Sequence, residues 1–168
     1  DRSLILVRDR VGIKPLYYAR LADGGLAFAS EPKALVGSGV IPARLDEGSV
    51  EGYFLFRSPL DPGTMFRGVQ KVPAGAIVSF SADTERLEMS AFHSVISEAP
   101  FTGPRPRAAE VEAAVDDAVR SQLVADVEVG LFLSGGVDSS LLAYLASRHQ
   151  PIRAFTVSSP GPLDEAKY

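Results

Sequence analysis

The chain has 168 residues, a formal net charge of −4 and no cysteine, which excludes disulfides and thiolate metal sites within it. With 46% apolar residues, 23% charged residues and a mean hydropathy of +0.10, its composition is that of a water-soluble globular protein. No basic block argues for a nucleic-acid partner, no apolar stretch approaches the ~20 residues of a membrane span, and no signal peptide opens the chain.

In chain order, residues 4–8 read as a strand, 9–15 as a turn and 16–19 as a second strand. Asp23-Gly24-Gly25 is a hairpin-type turn into a strand over 26–29. Ser30 is expected to cap a short helix that tolerates Pro32 in its first turn and ends at Gly37. A helix is predicted over 46–56, capped by Asp46 and weakened by Gly48 and Gly52. A loop rich in proline and glycine follows, then an extended run over 69–72, a strand over 76–80 and a short strand near Leu87. Closely spaced strands joined by tight turns indicate an antiparallel sheet.

Residues 98–107 carry three prolines and a glycine with no apolar periodicity, so a domain boundary is placed near residue 95, with 96–107 as linker. From 108 to 124, Val111, Val115, Ala118, Val119 and Leu123 recur at helical spacing, the signature of a core-facing helix with Glu110 and Glu112 near its positive end. Residues 129–133 read as a strand buried on both faces, 141–149 as a helix and 152–157 as a second strand, giving a β-loop-α-β unit. The chain opens at Asp1 without methionine and ends soon after that last strand, so an internal segment of a longer protein is expected.

The loop of this unit, Ser134-Gly135-Gly136-Val137-Asp138-Ser139-Ser140, lies where ligands of such units bind, at the carboxyl end of the strands. Two adjacent glycines leave backbone amides open to an anion, and Ser134, Ser139 and Ser140 add hydroxyl donors. Ser139 or Ser140 is expected to begin the helix, whose positive end favours phosphate. Asp138 beside phosphates makes sense with Mg²⁺ between them, a metal commonly held by one or two carboxylates plus phosphate oxygens. No Gly-Lys-Ser/Thr occurs, so this is not a Walker A loop. The bland alternative is punctuation, with Asp138 or Ser139 as a helix cap. Arg8, Asp9 and Lys14 are read as a buried ion pair fixing a turn, and His93 and His149 as isolated residues without a role. Asp164 and Glu165 are read either as a solvated loop or as facing the nucleotide.

The run 134–140 resembles the pyrophosphate loop (PP-loop) of the ATP pyrophosphatases. Three further runs resemble the glutaminase domain of the glutamine-hydrolysing asparagine synthetase family: Arg8-Asp9-Arg10-Val11-Gly12-Ile13-Lys14-Pro15-Leu16-Tyr17-Tyr18, then Phe28-Ala29-Ser30-Glu31-Pro32-Lys33-Ala34-Leu35, then Phe66-Arg67-Gly68-Val69-Gln70-Lys71-Val72-Pro73-Ala74-Gly75. The likeness spans nearly the whole chain. It implies an α/β protein in which residues 1–95 are the later part of an antiparallel αββα N-terminal-nucleophile (class II glutamine amidotransferase) domain. Residues 108–168 would begin a parallel-sheet PP-loop synthetase domain.

The implied activity is hydrolysis of glutamine to ammonia, adenylation of aspartate by ATP, and displacement of AMP by ammonia to give asparagine. The implied cofactors are ATP and Mg²⁺, the setting cytoplasmic and the assembly a homodimer. By the same resemblance, Leu133 and Val157 would contact adenine through their main chains. Ser134, Gly135, Gly136, Val137, Asp138, Ser139 and Ser140 would hold pyrophosphate, with Asp138 on the metal. The family's cysteine nucleophile and its glutamine-binding residues would lie upstream, and a second acidic metal ligand downstream. Glu128 replaces a usual proline, and Ala91-Phe92-His93 a usual Tyr-Trp. The alternative within the same chemistry is a β-lactam-synthetase-like enzyme acting on another carboxylate.

Overall fold

In the computed structural model, residues 2–94 and 102–158 are described. They form a mixed α/β structure with antiparallel sheets, and the chain divides into two compact units, 1–100 and 101–168.

The first unit contains two three-stranded antiparallel sheets. One has the order β1 (Ser3–Val7), β5 (Ala76–Ser81), β6 (Arg86–Ala91); the other is ordered β3 (Leu26–Ala29), β2 (Tyr17–Arg20), β4 (Val69–Lys71). Period-two alternation decides what each strand buries. In β5, Ala76, Val78 and Phe80 are buried while Ile77, Ser79 and Ser81 are only half-buried. In β2, adjacent residues serve opposite cores. Tyr18 joins Leu6, Val72, Ala76 and Val78 between the two sheets, whereas Ala19 joins Leu35, Ile41 and Val69 on the other face. Leu35 belongs to α1 (Pro32–Gly37), so the second sheet lies between the first sheet and a helix.

Two local expectations change here. The N-cap of α1 is Glu31 rather than Ser30, with no side-chain cap bond, because Pro32 already occupies the first helical position and has no N–H to satisfy. The N-cap of α2 (Glu47–Phe56) is Asp46, but its carboxylate accepts from the Ser49 hydroxyl at 2.7 Å instead of from a backbone N–H. Gly75 is forced by geometry. Its φ is +67°, and a Cβ there would run into the His93 carbonyl.

The second unit comprises α3 (Ala108–Gln122), β7 (Gly130–Phe132), α4 (Val137–Ser147) and β8 (Arg153–Phe155). β7 and β8 are parallel, with Phe132 beside Phe155, and α4 connects them. Among the described residues, the strand expected to be buried on both faces is covered on one face only. Phe132 is 83% exposed and Phe155 55%, because a two-stranded sheet that packs its Leu131 side against helices leaves the other face open. No residue of α3 is buried, and Val115 and Val119 line an apolar cavity of about 280 Å³ with Leu131 and Leu142. Polar contacts join the helices instead: His149 lies 2.9 Å from Asp116, and Arg148 donates to Glu112 at 3.3 Å. His149 is therefore not isolated; it fastens the end of α4 to α3. No helix among the described residues is long and apolar enough to cross a membrane.

Candidate functional site

β7 ends at Phe132 and α4 begins at Val137, so residues 133–136 form the loop between a parallel strand and a helix N-terminus. Leu133 leaves the sheet with its N–H donating to the Phe155 carbonyl at 2.8 Å, which ties the loop to the end of β8. Val157 follows β8 by two residues at the same end of the sheet and is exposed. Gly135 has φ +83°, a conformation that disfavours a Cβ. Gly136 is the N-cap, and a Cβ added there would meet only the Ser134 hydroxyl, at 3.5 Å. The second glycine is thus not demanded by packing; it leaves the backbone approachable.

The helix begins earlier than Ser139. Val137, Asp138 and Ser139 form its first turn, and the first intrahelical bond runs from Ser140 N–H to the Gly136 carbonyl at 3.1 Å. The N–H groups of Val137, Asp138 and Ser139 consequently have no intrahelical acceptor and form an anion-ready end. Ser139 does not cap because its hydroxyl turns back on the loop. It donates to the Gly136 carbonyl at 3.1 Å, lies 3.1 Å from the Ser134 hydroxyl, and accepts from the Ser134 N–H at 3.3 Å. Those two hydroxyls hold the loop's shape, while Ser140 is exposed.

Asp138 is exposed and makes no hydrogen bond or ion pair among the described residues. Its carboxylate gains from the positive end of α4, which also draws anions. No group of three or more His, Asp or Glu residues gathers among the described residues, so a cation here would rely on Asp138 together with a ligand's own oxygens. That donor set fits Mg²⁺ bound to a phosphate chain. The loop therefore brings together open amides, hydroxyls and one free carboxylate, and it contains no lysine. Asp164 and Glu165 lie outside the described residues.

The Arg8, Asp9 and Lys14 expectation needs correction. No ion pair joins them among the described residues; the Arg8 and Asp9 charges serve backbone groups instead. The Arg8 guanidinium donates to the carbonyls of Lys14 at 3.0 Å, Val72 at 2.8 Å and Gly12 at 2.8 Å. Asp9 accepts from the N–H groups of Val11, Ile13 and Lys14 at 3.3, 2.9 and 2.9 Å. The N–H donors of Lys14 and Ile13 hold the Asp9 carboxyl below its ordinary value. The turn is fixed by backbone capping rather than by charge pairing. His93 also has a place, its N–H donating to the Gly75 carbonyl at 3.2 Å.

A polar cavity in the first unit, lined by Arg20, Asp46 and Gln70, was not singled out from sequence. No local pattern could reveal it, since those residues arrive from β2, the cap of α2 and β4.

The glutamine amidotransferase domain family matches residues 1–92, and the asparagine synthase family matches residues 110–168. A Mycobacterium tuberculosis protein, provisionally named a glutamine-hydrolysing asparagine synthetase, is 35% identical over 156 residues, 89% of this chain and 24% of that protein. Glutamine-hydrolysing asparagine synthetases 3 and 1 of Bacillus subtilis are 35% and 33% identical over 147 and 158 residues, 87% and 94% of this chain. The chain spans about a quarter of the length of these relatives, 24% in each case. With a glutamine amidotransferase segment followed by an asparagine synthase segment, the chain belongs to the glutamine-hydrolysing asparagine synthetase family.

Proposed function

We propose that the full-length protein is an ATP-dependent amide ligase that converts aspartate to asparagine with ammonia released from glutamine. The observation that carries this reading is the lysine-free loop 133–136 at the N-terminus of α4, in a chain where a glutamine amidotransferase segment precedes it. Residues 1–95 then belong to the glutaminase domain, 96–107 to the linker and 108–168 to a PP-loop synthetase domain. The setting is cytoplasmic and the assembly a homodimer.

The free N–H groups of Val137, Asp138 and Ser139, with the hydroxyls of Ser134 and Ser140, hold the β and γ phosphates of ATP, while the Ser139 hydroxyl keeps the loop in shape. Gly135 and Gly136 let the phosphate chain approach the backbone. Leu133 and Val157 meet the adenine through their main chains. Asp138, together with phosphate oxygens, would hold Mg²⁺, which would supply charge neutralisation at the pyrophosphate. With the pyrophosphate end gripped, the α phosphorus is open to the aspartate side-chain carboxylate. Its oxygen bonds to phosphorus, the bond to pyrophosphate breaks, and β-aspartyl-AMP forms. Ammonia then bonds to the acyl carbon, and AMP leaves with the former carboxylate oxygen. A Walker-type site would instead place a lysine on the β and γ phosphates and favour terminal transfer.

The test follows from that bond choice. Full-length protein given ATP, Mg²⁺, glutamine and aspartate labelled with ¹⁸O in its side-chain carboxylate should form AMP and pyrophosphate in step with amide. One labelled oxygen should appear in AMP. ADP and phosphate with no label in AMP would overturn the reading.

A further inference from the structure

α4 carries the open amides of the loop at one end and its anchors at the other. Leu145 and Ala146, in its last turn, are buried, whereas Val137 and Asp138 at its start are exposed. The bonds of Ser134 and Ser139 run within 134–139, so they move with the helix and do not hold it to the rest of the unit. Leu133 ties the loop to β8, but Gly135 and Gly136 stand between that tie and the helix. Midway, a cavity of about 280 Å³ among Val115, Leu131 and Leu142 leaves α4 loosely packed.

Two carboxylates of α3 meet the anchored end. Glu112 and Asp116 are four residues apart and share a face of α3, where like charges repel unless cations bridge them. Arg148, the C-cap of α4, donates to Glu112 at 3.3 Å and lies 4.0 Å from Asp116. The next residue, His149, lies 2.9 Å from Asp116. The Asp116–His149 contact is the more sheltered of these from solvent. The Arg148 guanidinium also stands 6.0 Å from the Tyr144 ring, one turn back on α4. Pairs this open to water add little to stability. What contacts from one face of α3 to two successive residues do fix is the direction in which α4 leaves them.

At 11 residues α4 is about 16 Å long, so a tilt of about 4° at the anchored end shifts the N–H groups of Val137, Asp138 and Ser139 by about 1 Å. Misplacement of that size can cost about 100-fold in rate. We propose that Asp116, with Glu112, is a positioning residue for the loop: through His149 and Arg148 it sets the direction of α4 and thereby the place of the amides that grip pyrophosphate. That role rests on the proposed grip of the loop on pyrophosphate. It reaches beyond the loop to two residues of α3 that touch no substrate.

The experiment is calorimetric titration of the full-length protein with Mg²⁺-pyrophosphate and, separately, with AMP. Pyrophosphate probes the helix end, and AMP probes the adenine contacts of Leu133 and Val157, which stand at the ends of strands and not on α4. Asp116→Ala should weaken pyrophosphate at least fivefold and AMP less than twofold. A merely structural role would instead lower the number of sites titrated by both ligands and leave both affinities unchanged. Arg148→Glu should also weaken pyrophosphate selectively, and Glu112→Arg added to it should bring the affinity back to within twofold of wild type. The proposal fails if Asp116→Ala keeps wild-type affinity for pyrophosphate, if AMP weakens equally, or if the charge exchange gives no recovery. Wild-type protein that binds neither ligand would overturn the phosphate role of the loop and this positioning role with it, whereas wild-type binding unaltered by Asp116→Ala overturns the positioning role alone.

Discussion

The two units spend their apolar residues differently. In the first, two clusters of fully buried residues lie on the two faces of one sheet, and Tyr18 and Ala19 contribute to opposite clusters from adjacent positions. In the second, only Leu145 and Ala146 are buried among the described residues, while Phe132, Val137, Phe155 and Val157 are exposed. Antiparallel strands with alternating patterns can bury one face and solvate the other; parallel strands are ordinarily covered on both. The residues described at the carboxyl ends of β7 and β8 form an exposed set, and Asp138 at the start of α4 belongs with them.

Asp138 gives the largest expected effect because it belongs to that exposed set. In the full-length protein, Asp138→Asn should lower Mg²⁺-dependent turnover by more than about 100-fold while costing no more than about 1 kcal/mol of stability, the helix-end interaction it gives up. The second half of that expectation rests on its exposure and its lack of any partner among the described residues. Since Gly136 is the N-cap, no capping role of Asp138 would mask the result. Wild-type turnover of the variant at limiting Mg²⁺ would remove the carboxylate from the metal site.

Matched truncations sharpen the contrast in packing. Leu6 is 5% exposed in the first unit and Leu145 0% in the second, and Leu→Ala at such positions costs about 2–5 kcal/mol. Leu6→Ala should weaken the first unit and leave it folded, because neighbouring buried residues persist. Leu145→Ala removes half of the buried pair among the second unit's described residues and should lower hydrogen-exchange protection across α4 and β7. Retained protection in the Leu145 variant would show that α3 and the His149–Asp116 and Arg148–Glu112 contacts hold that unit by themselves.

The alternation in β5 and the helical spacing in α3 are visible in the residues themselves, so strands and helices could be placed along the chain. The position of Gly135 and Gly136 between a strand and a helix was legible for the same reason. The starts of α2 at Asp46 and of α3 at Ala108 were legible too, whereas those of α1 and α4 were not. Ser139 and Ser30 have the chemistry of caps, but Ser139 turns its hydroxyl onto the Gly136 carbonyl, and Pro32 fixes the start of α1 one residue beyond Glu31. Charge partners were equally hidden. The residues of 8–14 reveal which side chains are charged, and only the folded turn reveals that backbone groups, not other charges, satisfy Arg8 and Asp9. The Arg20, Asp46 and Gln70 cavity lies at the far limit of this kind, assembled from three elements with no shared local signal.

The smallest expected effect compares one carboxylate from each unit. Asp9 in the first unit and Glu110 in the second both cap backbone N–H groups, and both are held below their ordinary pKa values. For Asp9 the leading causes are the N–H groups of Lys14 and Ile13; for Glu110 they are the Arg107 N–H, at 2.8 Å, and then the Arg107 guanidinium. A carboxyl whose folded pKa lies below its unfolded pKa binds fewer protons in the folded state. Its contribution is complete above the unfolded value and disappears as pH falls through the folded one. Both units should therefore loosen locally in acid, the first at the 9–14 turn and the second at the start of α3. Salt should separate them: the Asp9 bonds run to neutral backbone groups, whereas Glu110 also faces a guanidinium and will be screened. Carbon-detected titration should place both midpoints below those of ordinary carboxyls, with the Glu110 midpoint rising more as salt is added. Asp9→Asn should remove the acid dependence of exchange at the Ile13 and Lys14 amides and leave that of α3 unchanged. An Asp9 midpoint at or above the ordinary aspartate value would mean that the three backbone bonds do not form in solution, and the turn would need another explanation.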